Sequence, residues 1–503
     1  MIKKRTVLSG VTAMRDEGNR RIYILSPAYC LRGWKLLPFG ITQALGTNTE
    51  FVDKETYALM LDCDGETLID YDALSEKQKA WYDFWEEQNV IQRCTEKKHL
   101  LPYQEYKAYD CRYKSSISWS ITGKCNYSCR HCFMSAPHAL TGEPSYEQLM
   151  TMLDSFERCG IRGIGLTGGE PLIRPDFWQL VDEIRKRDMF ITTIYSNGKL
   201  VDDRFIEELE KRDLHPVVQL SFDGVGHHDW MRGVKGAEQI AVDAFRRCQK
   251  HGIRTSASMA MCRESAPSIR ETVKLLASVG CASLKINNAS PQGEWKNEPE
   301  HYLTDAEANQ IYLDYIPYFF EDGAPLSLVL EGLFHYNTEE KVEQGMYEKW
   351  IPEANFADAP MCAVVRRSMY VSPEGNVLPC MSLVATPIEK EFPNLLTQPL
   401  EEILDEPSHY MSVINFRIQD FMDHNPECRE CEYREACCGG CRATALITSP
   451  DDYLAKDMKA CEYFKGGWKK RKEDILRAIG REDLIVKRTS VKYTENGNRQ
   501  KGL

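Results

Sequence analysis

Nowhere in the 503 residues is there a run of about 18 apolar residues, so no segment is long enough to read as a membrane-spanning helix. Met1-Ile-Lys-Lys-Arg5 is not followed by the apolar stretch of a signal peptide, and this points to a cytoplasmic protein with no membrane partner. Positive charge is short as well. Against 75 Asp and Glu stand 63 Lys and Arg, and the net charge of −12 argues against a nucleic-acid partner while fitting a basic peptide. Internal repeats and low-complexity tracts are missing. What is plentiful is cysteine, with 19 residues, ten of them in two spaced groups. The rest are scattered, as small buried hydrophobes usually are, and Cys438 adjoins the second group.

The first group is Cys125, Cys129 and Cys132, in the run Lys124-Cys-Asn-Tyr-Ser-Cys-Arg-His-Cys-Phe133. Three thiolates so spaced can hold three corners of a 4Fe–4S cube and leave the fourth iron without a protein ligand. An open metal position is where ligand chemistry takes place. The other reading is a zinc knuckle closed by His131 or His138. Farther on comes Gly163-Ile-Gly-Leu-Thr-Gly-Gly-Glu-Pro171, a short apolar strand followed by two glycines that permit a tight turn close to a ligand. Glu170 then stands at the C-terminal end of that strand, where barrel-type α/β folds place their ligands.

Helices alternate with short apolar strands from here on. Helices are expected over 143–160 (opened by Pro144-Ser145 and closed by Gly160), 176–188, 202–212, 236–251 and 266–279. The strands between them are Met189–Tyr195, Val217–Phe222, Arg254–Met261 and Ala282–Asn287. Such alternation argues for parallel βαβ units, about six of them between Ser116 and Gly293, and so for an α/β chain built on a partial (β/α)6 barrel.

The CxxxCxxC run followed one βα unit later by Gly-Gly-Glu resembles the radical S-adenosylmethionine (SAM) enzymes. The resemblance implies an open-sided barrel whose cluster at Cys125, Cys129 and Cys132 chelates SAM, with Gly168, Gly169 and Glu170 receiving the SAM amino group. It also assigns Ser196 to the SAM ribose and likens Ser221-Phe-Asp223-Gly, with Arg232 beyond it, to the fifth-strand motif. There the arginine fork suits the SAM carboxylate.

The second group is Cys362, Cys380, Cys428, Cys431, Cys437, Cys441 and Cys461, and it matches the SPASM extension that houses auxiliary clusters in radical SAM enzymes acting on peptides. Disulfides are the formal rival, but radical SAM motifs require reducing conditions. By the resemblance, Cys362, Cys380 and Cys441 hold a nearer auxiliary cluster, and Cys428, Cys431, Cys437 and Cys461 a farther one. That makes three 4Fe–4S clusters and SAM. The cysteine that completes the nearer cluster in fully equipped relatives is missing from Ile351–Pro360, which leaves an open iron, Asp358, Glu353 or Cys438 to fill the place. Met381 stands where sulfatase-maturing relatives carry an aspartate base, and a thioether cannot accept that proton.

Before the barrel, Arg20–Leu25 is strand-like, Pro38 and Gly40 interrupt the run after Trp34, and helix-like segments follow around 53–62, 76–88 and beyond. This stretch resembles a winged-helix, PqqD-like element that binds the leader of a precursor peptide by strand addition. The expected division is 1–110 peptide recognition, 111–335 radical SAM barrel, 336–475 SPASM domain and 476–503 a solvated or disordered tail. The implied activity is SAM cleavage to a 5′-deoxyadenosyl radical that modifies a ribosomally made peptide, by a thioether or C–C cross-link. A flavodoxin or ferredoxin-type protein would be the electron donor. Alternatives are a peptide epimerase, for which Cys262 and Cys281 are the hydrogen-donor candidates, a formylglycine-forming sulfatase maturase, and a non-catalytic electron carrier.

Overall fold

The computed structural model describes residues 19–136, 140–343, 347–349 and 356–485, together with 492–493 and 499–500. The chain divides into two compact units, Met1–Asp110 and Cys111–Leu503. No helix among the described residues is long and apolar enough to cross a membrane.

The first unit is built from β1 (Arg20–Leu25), β2 (Tyr29–Lys35), β3 (Leu37–Gln43), β4 (Thr49–Phe51), helix α1 (Lys54–Leu61), β5 (Asp64–Asp70), helix α2 (Glu76–Glu87), β6 (Ile91–Cys94) and β7 (Lys107–Arg112). One sheet runs β5-β1-β6 and the other β4-β3-β2-β7. The two expected helices form because each begins on a cap. Asp53 accepts from the Thr56 N–H, and Ser75 makes a reciprocal capping box with Gln78. Their inner faces, with Tyr57, Met60, Tyr82 and Trp85, close over Tyr23, Leu25 and Ile91, and Tyr23 stacks on Tyr82 at 4.8 Å.

Two expectations for this unit need correction. Pro38 and Gly40 do not interrupt the strand; both lie inside β3, and the chain reverses at Leu36, whose φ is 65°. Pro38 is tolerated because the β4 partner begins only at the Gly40–Phe51 pair, so no neighbour there requires its missing N–H. The segment after α2 is strand rather than helix, because Ile91–Cys94 pairs with β1.

In the second unit the strands are β8 (Ser116–Ser120), β9 (Gly163–Thr167), β10 (Phe190–Ser196), β11 (Val217–Ser221), β12 (Thr255–Met261), β13 (Cys281–Asn288), β14 (Ser327–Leu330), β15 (Phe334–Asn337), β16 (Val342–Glu343), β17 (Ser368–Val371) and β18 (Val377–Leu378). The six expected strands, β8 to β13, are parallel neighbours in chain order. They are joined by α3 (Tyr146–Arg158), α4 (Phe177–Lys186), α5 (Asp203–Lys211), α6 (His228–Arg232) with α7 (Ala237–Lys250), and α8 (Ile269–Ser278). The helix expected from 266 opens with a 3-10 turn at Ala266–Ser268, which contains a proline. The ladder is longer than six. α9 (Asp305–Glu321) carries the chain into β14, parallel to β13, and β17 from the cysteine-rich half adds itself parallel to β8. The sheet ends at β16 and β18 and stays open.

The connecting helices are amphipathic, and that is what seats them. Ser145 caps α3 in a box with Gln148, and Leu149, Met152, Leu153 and Phe156 face inward, the Phe156 ring 5.0 Å from Trp119 of β8. The expected divisions at 335/336 and 475/476 fall inside β15 and inside the helix Trp468–Ala478, so neither is a break between elements. The expected tail therefore begins in that helix. Past 485 only Lys492–Tyr493 and Arg499–Gln500 are described, as an antiparallel pair.

Phe156→Ala should cost about 3–5 kcal/mol, the usual range for emptying a fully buried phenylalanine site. Denaturant unfolding followed by tryptophan fluorescence checks this, with Trp119 as the adjacent reporter.

Candidate functional site

The three cysteines of the first group sit on a loop that leaves β8 and is held down by the turn after β9. Gly169 N–H donates to the Thr122 carbonyl at 2.9 Å, and Glu170 N–H to the Lys124 carbonyl at 2.8 Å. Only glycine fits at this contact. A Cβ on Gly168, whose φ is 144°, would collide with the Thr122 oxygen, and one on Gly169 with the Lys124 oxygen. The second half of the loop rests on α6, where Arg130 N–H donates to the Met231 carbonyl at 3.0 Å.

Cys125, Cys129 and Cys132 line one cavity of about 310 Å³ at the C-terminal ends of the parallel strands. Gly168, Gly169, Ser196, Ser221 and Arg232 are on the same wall, so five of the expected SAM contacts come together with the cysteines. Two others stand behind the wall. Glu170 is fully buried, and its carboxylate accepts from Leu172 N–H (3.2 Å), Ser196 Oγ (3.2 Å) and Asn197 N–H (2.7 Å). Burial pushes its pKa up to about 7, and those donors hold it from rising further. The surface that the Gly-Gly-Glu motif presents is therefore the backbone of its glycines, with Glu170 as the brace.

Asp223 is likewise absent from the wall. Its carboxylate grips Arg232 (2.6 Å to Nε, 3.1 Å to Nη2) and accepts from the Ala260 N–H at 3.0 Å. Arg232 in turn points Nη1 at the Cys129 sulfur, 3.7 Å away. The guanidinium is thus held by Asp223 beside a cysteine while it lines the cavity.

Cys262 and Cys281 line neither this cavity nor its neighbour. Cys262 is packed with Met231, Ala289 and Trp295, its sulfur 3.5 Å from Ser265 Oγ. Cys281 begins β13 at the end away from the site, and its thiol donates to the Ser283 carbonyl at 3.1 Å. Its place just before the expected strand already put Cys281 at the N-terminal end, opposite the cavity.

A second cavity, of about 320 Å³, shares His131, Phe133, Ala260, Asn287 and Met381 with the first. Burial pushes the His131 pKa down to about 4, so its imidazole is neutral, and its Nδ1 has no partner among the described residues. That arrangement suits a hydrogen bond to a ligand; His138, the other histidine of the zinc reading, lies outside the described residues. Sequence reasoning missed Asn197, Gln219, Ser258 and Asn287 on the walls. A signal existed: Gln219 with Ser221, and Ser258, are polar residues facing one side of apolar barrel strands.

The second cysteine group falls into two parts of the structure. Cys428, Cys431, Cys437 and Cys461 line a small void of about 30 Å³. Cys362 and Cys441 act electrostatically on Cys380, which marks the other three as neighbours. Asp457 links the sets, lining the void while accepting from the Cys441 N–H at 2.8 Å. Burial pushes Cys125 and Cys380 up to about 12 and Cys437 to about 11, so these thiols ionise only where a metal cation compensates them. Two sulfur-lined sites of that chemistry, with the near trio, suit iron–sulfur clusters. Of the residues considered for the missing fourth ligand, Cys438 is buried among Met361, Ile418, Phe421 and Met422, with its thiol donating to the Glu435 carbonyl at 3.3 Å. Asp358 is exposed, and Glu353 lies outside the described residues.

Comparison with known proteins agrees with this chemistry. Residues 119–276 match the family described as the radical SAM superfamily, and residues 362–432 match SPASM, an iron–sulfur cluster-binding domain. The chain is 28% identical over 341 residues to a PqqA peptide cyclase of Gluconobacter oxydans, covering 66% of this chain and 86% of that protein. It is 26% identical over 356 residues to an AdoMet-dependent heme synthase of Nitratidesulfovibrio vulgaris, covering 69% and 92%. Its fold aligns with Streptococcus suis SuiB bound to its precursor peptide SuiA, with a TM-score of 0.61 at 15% identity, over 88% of this chain and 100% of that one.

Gly169→Ala should force the Lys124–Cys125 backbone to move and lower the iron held by the first cysteine group by more than half. Iron content per chain, compared with that of a C125A/C129A/C132A variant, reads the loss.

Proposed function

This chain is a radical SAM enzyme with a SPASM domain, related to enzymes that mature ribosomally made peptides, and from that premise we propose that it forms a thioether or carbon–carbon cross-link in a precursor peptide. The observation that carries the reading is the pair of adjoining cavities, one lined by the three cysteines and the other, next to it, roomy enough for a peptide side chain.

In this reading Cys125, Cys129 and Cys132 hold the SAM-site cluster. Cys362, Cys380 and Cys441 hold the nearer auxiliary cluster, and Cys428, Cys431, Cys437 and Cys461 the farther one. When bound and reduced by one electron from a flavodoxin or ferredoxin-type donor, the SAM-site cluster and SAM supply a 5′-deoxyadenosyl radical that takes a hydrogen atom from a C–H bond. The chain's own work is placement. Gly168, Gly169, Ser196 and Ser221 shape the SAM wall, Glu170 and Asp223 hold that wall rigid, and the shared residues Asn287 and His131 set the target carbon against it. The barrel interior keeps solvent hydrogen donors away from an unselective radical.

Three observations favour a cross-link over the rival chemistries. Met381 lines both cavities at the place where formylglycine formation calls for a proton acceptor. No cysteine other than the three motif residues lines either cavity, so a thiol to return hydrogen in an epimerisation is missing from those walls. The alignment with SuiB, whose structure holds its precursor peptide, extends over 88% of this chain and so reaches into the first unit, whereas the match to the heme synthase covers 69%. A peptide substrate gives the first unit a task. The sheet edges β5, β6, β4 and β7 are surfaces to which a leader strand can add through main-chain hydrogen bonds. A reducing cytoplasm is the compartment that such clusters would suit.

Replacing Cys125, Cys129 or Cys132 with Ala should abolish 5′-deoxyadenosine formation, read by chromatography under dithionite; continued formation would refute the assignment. Mass spectrometry of a precursor peptide encoded beside the enzyme tests the bond. A loss of two hydrogens is expected, and an unchanged formula with solvent deuterium at one Cα would mean epimerisation instead.

A further inference from the structure

Lys114 is a fully buried lysine, 1% exposed, in the segment that leads into β8. Its ammonium donates to the Val365 carbonyl and lies 5.1 Å over the Tyr410 ring. No carboxylate pairs with it among the described residues. An ammonium taken out of water without a counter-charge is costly, so its position calls for a negative charge that the described residues do not supply.

The surroundings say where that charge would be. Val365 belongs to the helical turn Val364–Arg367, which begins two residues after Cys362. Ser115 N–H donates to the Arg367 carbonyl at 2.7 Å, and the next residue pairs β8 to β17, so Lys114 is fixed beside that turn by the ladder itself. Tyr410 is fully buried, its hydroxyl has no partner among the described residues, and the Cys380 sulfur acts electrostatically on it. Burial and the nearby Arg366 push the Lys114 pKa well down, and the Cys362 sulfur opposes them. Lysine and tyrosine are thus each within electrostatic reach of one of the three cysteines of the nearer auxiliary set, the set without a fourth thiolate.

We propose that Lys114 is the counter-ion of the nearer auxiliary cluster, an ammonium that balances the negative charge of thiolate-bound iron and favours its one-electron reduction. This rests on the reading that Cys362, Cys380 and Cys441 hold a cluster. A positive charge at short range in a low-dielectric setting stabilises the more negative, reduced state, so the residue sets the potential at which the cluster takes up an electron.

The C125A/C129A/C132A variant of the full chain, which carries no SAM-site cluster, is titrated with dithionite and followed by EPR. Two auxiliary clusters are expected by iron count; finding one would refute the reading of the nearer cysteines, whatever Lys114 does. Adding K114M should lower the reduction equilibrium of one of the two signals by about tenfold, about 59 mV for one electron, and leave the other unchanged. K114R, which keeps the charge, should stay with the parent. Loss of one cluster's iron in K114M but not in K114R would also support the proposal. Two clusters with unmoved potentials in K114M would overturn it, and so would equal iron loss in K114M and K114R, which would make the role one of shape rather than charge.

Discussion

Two backbone hydrogen bonds, Gly169 N–H to the Thr122 carbonyl and Glu170 N–H to the Lys124 carbonyl, tie the cysteine loop after β8 to the turn after β9, and the site depends on them. They close only because residues 168 and 169 lack a Cβ, which lets two loops approach to main-chain contact. Glu170 then locks the turn from behind through Ser196 and Asn197, and Asn197 reaches forward to Asn126 at 2.7 Å beside Cys125. Neighbouring parallel strands thereby position the first thiol without a rigid loop of their own.

The same economy recurs on the other side of the loop. Asp223, just past the end of β11, holds Arg232, and Arg232 approaches Cys129, while His228 is stacked on Phe222 at 5.1 Å. A buried carboxylate–guanidinium pair is a poor source of stability by itself, because both charges give up hydration. Its worth here is placement: the arginine is fixed in one geometry next to a sulfur. Charge balance organises the cysteine-rich half in a similar way. Asp457 joins the two sets through the Cys441 N–H, and Lys114 lies at the base of the nearer one.

The extension of the sheet explains why barrel and cysteine-rich half form one compact unit. β17, which follows Cys362 by a single helical turn, is hydrogen-bonded along the outer edge of β8, and β18 returns the chain to Cys380. The auxiliary cysteines therefore hang on the same ladder that carries Cys125. Met381, next to Cys380, is carried by that geometry to the boundary of both cavities, so one residue change at this position alters what the site can do.

The sequence by itself determined the local features. Spacing alone set out the cysteine groups. Caps such as Ser145 and amphipathic stripes located α3, α4, α5, α7 and α8, and apolar runs located β9 to β13, because these signals need only near neighbours along the chain. The tertiary structure decided what depends on residues far apart. It turned Glu170 and Asp223 inward as braces, packed Cys262 among Met231, Ala289 and Trp295, let Pro38 ride inside β3 where no partner strand requires its N–H, and stretched the sheet to eleven strands through β14 and β17. A carboxylate becomes a ligand or a brace according to the donors that surround it, and those donors come from other strands. The triad Cys125, Cys129 and Cys132 was legible at once; the company it keeps was not, because burial and charge pairing are properties of the packed chain.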